Sequence, residues 1–305
     1  MPTRRETVGA ALLAGAIPVL PAQAQAPAPP PPPLRQHAIR SADGVEIAAY
    51  EIGNPAGVPI LFIHGYAQSA ISWSRQMYDR ALAEEFRLVA IDLRGHCMSG
   101  KPEGHEHYRE GRRWADDVKA VMDSLSLRRP VLVGWSYGGR VIGDYVTHHG
   151  TGNIGATNWV CAVASGNPAH FGAAGRFIAP MTSADPLAAI QATQAFLRVC
   201  FEVQPSAEDF QIMLGFNMMV PRHVRISLGG RPAEYEAALR ALDVPTLVTQ
   251  GERDQLIQMA MARYIAGTVP GARLSAYEGI GHSPFWEDAR RFNAELAALA
   301  RSARR

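Results

Sequence analysis

Six short apolar runs punctuate the chain, at 59–63, 87–91, 131–133, 159–164, 246–249 and 273–277. They are continuous rather than alternating, the pattern of strands buried on both faces of a parallel sheet. Ahead of them, 45–52 alternates weakly after a Ser-Ala-Asp-Gly turn signal. With 36–40 it reads as a hairpin. Segments of helical period lie between the runs, at 72–85, 112–126, 139–149, 259–268 and 288–302. In 112–126, Trp114, Val118, Val121, Met122 and Leu125 share one face. Strand and helix in alternation predict an α/β fold, with a mostly parallel eight-stranded sheet flanked by helices.

The rhythm breaks between about residues 167 and 242. No convincing strand occurs there, and helix-like pieces fall at 186–201, 208–219 and 233–241. This stretch is expected to be a helical cap inserted over the carboxyl ends of the strands, where open α/β sheets bind ligands.

The first 33 residues stand apart. Arg4 and Arg5 precede an apolar run at 8–20, too short to span a bilayer. Ala22-Gln23-Ala24 and Ala24-Gln25-Ala26 both fit a small-x-small cleavage site. Residues 1–26 therefore read as an export signal peptide, compatible with the twin-arginine route and a periplasmic or secreted destination. Residues 27–33 contain six prolines, a stiff extended spacer. The α/β domain is expected to occupy 34–305.

Composition narrows the function classes. Of 305 residues, 47% are hydrophobic and 19% charged, as in a globular chain. Thirty basic against 28 acidic residues leave a net charge of +2. No basic stretch interleaves with aromatics, so a nucleic-acid partner is not expected. Nor is a membrane span once the signal is cleaved. The three cysteines, Cys97, Cys161 and Cys200, are too few and too scattered for a disulfide scaffold or a zinc site. His105 and His107 read as part of a solvated loop rather than as a metal pair.

The sharpest motif is Gly134-Trp135-Ser136-Tyr137-Gly138-Gly139, between the 131–133 strand and the 139–149 helix. A G-x-S-x-G in that setting is a nucleophile elbow, with glycines where side chains would strike neighbouring backbone. A serine hydroxyl needs a base, and the base an orienting acid. Asp254, in Gly251-Glu252-Arg253-Asp254, follows the 246–249 strand, and His282, in Gly281-His282-Ser283-Pro284, follows the last strand. All three fall at the carboxyl edge of the sheet in the order Ser, Asp, His. The oxyanion hole needs two backbone N–H groups. Tyr137 is the candidate after the nucleophile, and Tyr66, in the loop His64-Gly65-Tyr66, is the other. His64 is expected to brace that loop rather than to react.

These motifs, together with Asp92-Leu93-Arg94-Gly95-His96, resemble the α/β-hydrolase fold superfamily over about residues 34–305. The resemblance is to its small serine hydrolases with a helical cap, a branch that includes esterases and cofactor-free haloperoxidase or perhydrolase relatives. One departure is Cys97-Met98-Ser99, where relatives usually carry glycine before an x-Ser pair. Serine at 136 argues against haloalkane dehalogenase and epoxide hydrolase chemistry, which places aspartate there. The resemblance implies attack by Ser136, proton transfer by His282 oriented by Asp254, and an acyl-enzyme. It implies no metal or organic cofactor.

Met181, Phe196, Phe201, Phe210, Met213, Phe216, Met218 and Met219 enrich the predicted cap. Each is expected to glue the cap to the sheet more often than to line a pocket. The ligand is expected to be a small-molecule ester, apolar and of small to medium size. The same triad also serves perhydrolysis, lactone opening and C–C bond hydrolysis, and a ligand-binding protein without turnover is the alternative outside enzymes.

Overall fold

The computed structural model describes residues 33–303, so the export segment and nearly all of the proline spacer lie outside the described residues. Eight strands form one sheet: β1 (Arg35–Arg40), β2 (Glu46–Gly53), β3 (Pro59–Ile63), β4 (Arg87–Ile91), β5 (Val131–Trp135), β6 (Ala156–Val160), β7 (Thr246–Gly251) and β8 (Arg273–Tyr277). Their order is β1-β2-β4-β3-β5-β6-β7-β8. β1 pairs antiparallel with β2, and β2 antiparallel with β4. From β4 through β8 every pairing is parallel. The loops after β3, β5, β6, β7 and β8 therefore emerge along one edge.

The central strands β5, β6 and β7 are buried at every position, which accounts for apolar runs without alternation. The expected strand at 159–164 is displaced: β6 begins at Ala156 and ends at Val160. Thr157 and Asn158 are polar yet fully buried. Thr157 Oγ1 meets Thr246 Oγ1 at 2.9 Å, and Asn158 Oδ1 accepts from Thr249 Oγ1 at 2.9 Å, so β7 partners the oxygen of each, while Asn158 Nδ2 is buried without a partner. Downstream, Cys161 turns the chain out of the strand at φ 42°.

The expected helix at 72–85 is broken. A 3-10 turn (Ala70–Trp73) and a short helix (Ser74–Met77) end before Asp79, which is extended and caps a new helix, Arg80–Glu85, by accepting from Leu82 N at 2.9 Å. Between β6 and β7 lie the helices Pro186–Val199, Ala207–Met218, Arg222–Gly229 and Glu236–Ala241. The third has no counterpart in the sequence reading; it is eight residues long and lacks a side-chain cap. Among the described residues, no helix is long and apolar enough to cross a membrane. All three cysteines are free and buried.

The motif Asp92–His96 braces the edge that carries the site. Asp92 accepts from Ala70 N at 2.8 Å, Met98 N at 3.1 Å and Tyr50 Oη at 3.0 Å. Arg94 is wholly buried and bonds Asp117 at 2.7 Å and Asp43 at 2.9 Å. Cys97 sits at φ 35°, a region that favours the glycine relatives usually carry nearby.

His64 accepts from Leu93 N through Nε2 at 3.0 Å, which leaves the proton on Nδ1 to donate to Gly65 O at 2.8 Å. That is the bracing role expected of it. Its ring lies 4.8 Å from that of His96. Burial pushes His64 down to about 4 and His96 down to about 3. Both are therefore neutral when folded, whereas in the unfolded chain they bind protons below the ordinary value of about 6.5. Stability should be unaffected above that pH and should fall as pH drops from it toward 4 and then 3. The full loss should be about 3 kcal/mol for His64 and about 5 kcal/mol for His96. Urea unfolding at pH 7.5, 6 and 4.5 measures it, and a flat profile would refute it.

Candidate active site

Ser136 occupies the turn between β5 and the helix Tyr137–His149, at φ 53°, ψ −110°. This strained, left-sided backbone is unusual for a residue with a Cβ and turns the side chain outward at the strand end. Hydrogen bonds hold the turn from both sides: Ser136 N donates to Val160 O at 2.9 Å, while Ser136 O accepts from Gly139 N at 3.0 Å and Val163 N at 2.9 Å. Gly138 is required because a Cβ there would collide with the carbonyl oxygen of Ile63.

His282 and Asp254 come together as expected. His282 Nδ1 lies 2.7 Å from Asp254 Oδ2, and both side chains are almost fully buried. Asp254 Oδ1 accepts from Leu256 N at 2.8 Å and Ile257 N at 2.9 Å, and Oδ2 also accepts from Gln250 Nε2 at 3.0 Å. Four donors thus fix one carboxylate. The loop bearing His282 packs on the residue before the serine: Trp135 Nε1 donates to His282 O at 2.8 Å, and the two rings are 5.5 Å apart. Gln250 is absent from the sequence reading, since a lone glutamine at a strand end gives no signal.

The loops carrying Asp254 and His282 touch through backbone. A Cβ on Gly251 would fall inside contact distance of the carbonyl oxygens of both Gly281 and Ile280. Gly251→Ala should push the two loops apart, lengthen the His282–Asp254 bond and lower kcat at least ~100-fold. Steady-state kinetics with a melting curve checks this; wild-type kcat would refute it.

Tyr66 and Tyr137 are both placed beside Ser136. A Cβ on Gly65 would lie 3.2 Å from Ser136 Cβ, so the loop after β3 rests against the serine. Tyr137 opens its helix, and a first-turn N–H has no acceptor within the helix. Tyr66, Ser136 and Tyr137 line one cavity of about 490 Å³. Its wall is largely apolar, with Val163, Phe171, Ile178, Phe196, Leu256 and Ile257. Of the eight Met and Phe residues singled out in the sequence, only Phe196 belongs to the wall. Met181, Phe201, Met213 and Phe216 are buried in the core instead.

Arg225 also lines the cavity and is 3% exposed. Its Nε donates to Val220 O, Nη1 to Met181 O and Thr193 Oγ1, and Nη2 to Asn217 O and Met218 Sδ. This guanidinium staples the helical stretch together, and its carbonyl accepts from Tyr66 Oη at 3.4 Å. Burial pulls its pKa down. An arginine in a short helix without a motif left no sign in the sequence.

Among the described residues, one cluster has the makings of a metal site: Cys161, Asp254 and His282 offer ligand atoms within 4.8 Å of one another. The aspartate and histidine are already bonded to each other, and burial pushes the Cys161 thiol up, away from the thiolate that metals require.

With this geometry in view, comparison with known proteins places the chain. It matches the alpha/beta hydrolase family over residues 60–295. The protein belongs to the α/β hydrolase family. It is 30% identical to a non-heme haloperoxidase of Rhodococcus erythropolis, with 87% of this chain and 99% of that one covered. A crystal structure of a candidate aryl esterase from Burkholderia cenocepacia superposes with a TM-score of 0.84 at 36% identity, covering 88% of this chain and 99% of the other. An esterase from a Rhodococcus species superposes with a TM-score of 0.81 at 33% identity, again over 88% and 99%. The chain is thus an enzyme of the α/β hydrolase class.

Proposed function

We propose that this hydrolase cleaves carboxylic esters with small to medium, apolar acyl groups through an acyl-enzyme on Ser136. The observation that carries the reading is the buried 2.7 Å bond between His282 and Asp254, on a loop packed against Trp135, together with the next residue, a serine held at φ 53° on the cavity wall. The esterase relatives support it.

In the first step Ser136 Oγ attacks the ester carbonyl carbon, and its proton passes to His282 Nε2. Asp254 holds the imidazole through Nδ1 and stabilises the imidazolium that forms. The amides of Tyr66 and Tyr137 receive the oxyanion. The C–O bond to the alcohol breaks, and His282 returns the proton to the departing oxygen. Water then attacks the acyl carbon, giving its proton to His282, and the acid leaves as Ser136 recovers its hydrogen. The apolar wall accommodates the acyl chain and excludes bulk water.

A second reading, perhydrolysis, is favoured by relatives named as a haloperoxidase and as a bifunctional esterase/perhydrolase from Acinetobacter calcoaceticus, 29% identical over 87% of this chain. It needs only hydrogen peroxide in place of water at the acyl-enzyme. Hydrolysis of p-nitrophenyl esters from acetate to decanoate tests the main reading, with an optimum at short to medium length expected. Peracid formation from acetate and peroxide tests the second. No turnover of any ester would overturn the first reading.

A further inference from the structure

The cavity carries two positive charges that no protein carboxylate neutralises. Arg140 and Arg225 both line it, and no aspartate or glutamate does. Among the described residues neither guanidinium is ion-paired. The contrast with Arg231 is direct: Arg231 Nη2 bonds Asp144 at 2.6 Å, and the other Asp144 oxygen accepts from Tyr235 Oη at 2.9 Å. The nearby acid is therefore committed elsewhere.

The two arginines differ in what they leave free. Arg225 uses Nε, Nη1 and Nη2 on neighbours in the helical stretch, so it contributes field but no donor. Arg140 uses Nη1 alone, on Arg231 O at 2.6 Å and Pro232 O at 3.2 Å. Its Nε is buried with no partner. A buried N–H without an acceptor, on a cation without a counter-ion, is a costly arrangement unless something else fills it. Arg140 also lies four residues beyond Ser136, about 6 Å along the same helix axis.

We propose that Arg140 receives a carboxylate of the substrate, so that the preferred esters carry an anionic group several bonds from the carbonyl that Ser136 attacks. The apolar wall holds the chain between the two ends. The unneutralised charge of Arg225 adds to the attraction. This proposal rests on the ester-hydrolase reading for its reaction, and it replaces the wholly apolar substrate of that reading with one whose chain ends in a carboxylate.

Two ester pairs test it, because each keeps the reacting ester group and removes the distant carboxylate; the ratio's dependence on Arg140 separates recognition from intrinsic reactivity. Monomethyl adipate is compared with methyl hexanoate, and 4-acetoxybenzoate with its methyl ester. The wild type should show a kcat/KM ratio favouring the anion by ~10–100-fold in one pair, the scale of a charge-assisted hydrogen bond. Arg140→Met should lower that ratio at least tenfold, while Arg140→Lys retains part of it, and 1 M NaCl should reduce it in the wild type. Titration calorimetry with adipate reads the site without turnover: binding should weaken at least tenfold in Arg140→Met. A wild type that prefers the neutral member of both pairs, or a ratio and adipate affinity unchanged in Arg140→Met, would overturn the proposal. Adipate binding that depends on Arg140 without turnover of any ester would uphold the anion site and refute the ester reading instead.

Discussion

Ser136→Ala should reduce ester hydrolysis by ~10⁴-fold or more while leaving the melting temperature within a few degrees of wild type. The two halves of this expectation have separate causes. Alanine keeps the Cβ, so the backbone at φ 53° is strained to the same degree, and the hydrogen bonds of Ser136 N and O to Val160, Gly139 and Val163 involve no side-chain atom. The hydroxyl is already partly exposed on the cavity wall, so its loss leaves no buried group unpaired. What disappears is the atom that forms the acyl bond. Residual catalysis could come only from the oxyanion donors and from binding, which retain a small fraction of the rate in serine hydrolases generally. Initial rates on p-nitrophenyl butyrate, with a melting curve for each protein, measure both halves. Activity within tenfold of wild type would mean that Ser136 is not the nucleophile.

Such a variant could be chosen from the sequence alone, because the elbow is a local object. Strand, tight turn and helix are contiguous in the chain, and the glycines around Ser136 answer to collisions a few residues away or across one neighbouring strand. Asp254 and His282 were legible for a related reason: both follow apolar runs in an order that a parallel sheet places on one edge. β3, β4 and β8 fall on the residues that their apolar runs mark. β6 does not, because Thr157 and Asn158 are buried with their oxygens against Thr246 and Thr249 of a strand far away in sequence. Hydrophobicity counts such residues as outside the core. The same limit hides Gln250, Arg225 and Arg140. Their roles depend on carbonyls, and on the absence of acids, in segments that only folding brings near. The break at Asp79 was legible in principle, since aspartate three residues before an amide it can cap is a helix-start signal.

The carboxylate of Asp254 shows how tightly that folded environment constrains chemistry. Asp254→Asn should lower kcat by ~10³–10⁴-fold with little change in KM. Both oxygens of the native carboxylate accept: Oδ1 from two backbone N–H groups of Leu256 and Ile257, Oδ2 from Gln250 Nε2 and from His282 Nδ1. An asparagine has one acceptor end and one donor end. The backbone amides cannot move without unwinding the loop, so the carbonyl oxygen of the substituted side chain must take the Oδ1 position. Its NH₂ group then faces His282 Nδ1 and the Gln250 amide. It can donate to Nδ1 only if the imidazole proton sits on Nε2, and in that tautomer the nitrogen meant to deprotonate Ser136 is already protonated. The negative charge that stabilises the imidazolium is gone as well. Gln250 Nε2, now opposite a donor, adds strain that Gln250→Leu in the same background should relieve in stability without restoring rate. A pH profile of kcat for Asp254→Asn and the wild type, with denaturant midpoints for the single and double variants, measures these effects. A kcat within tenfold of wild type for Asp254→Asn would mean that the 2.7 Å bond to His282 does not orient the base.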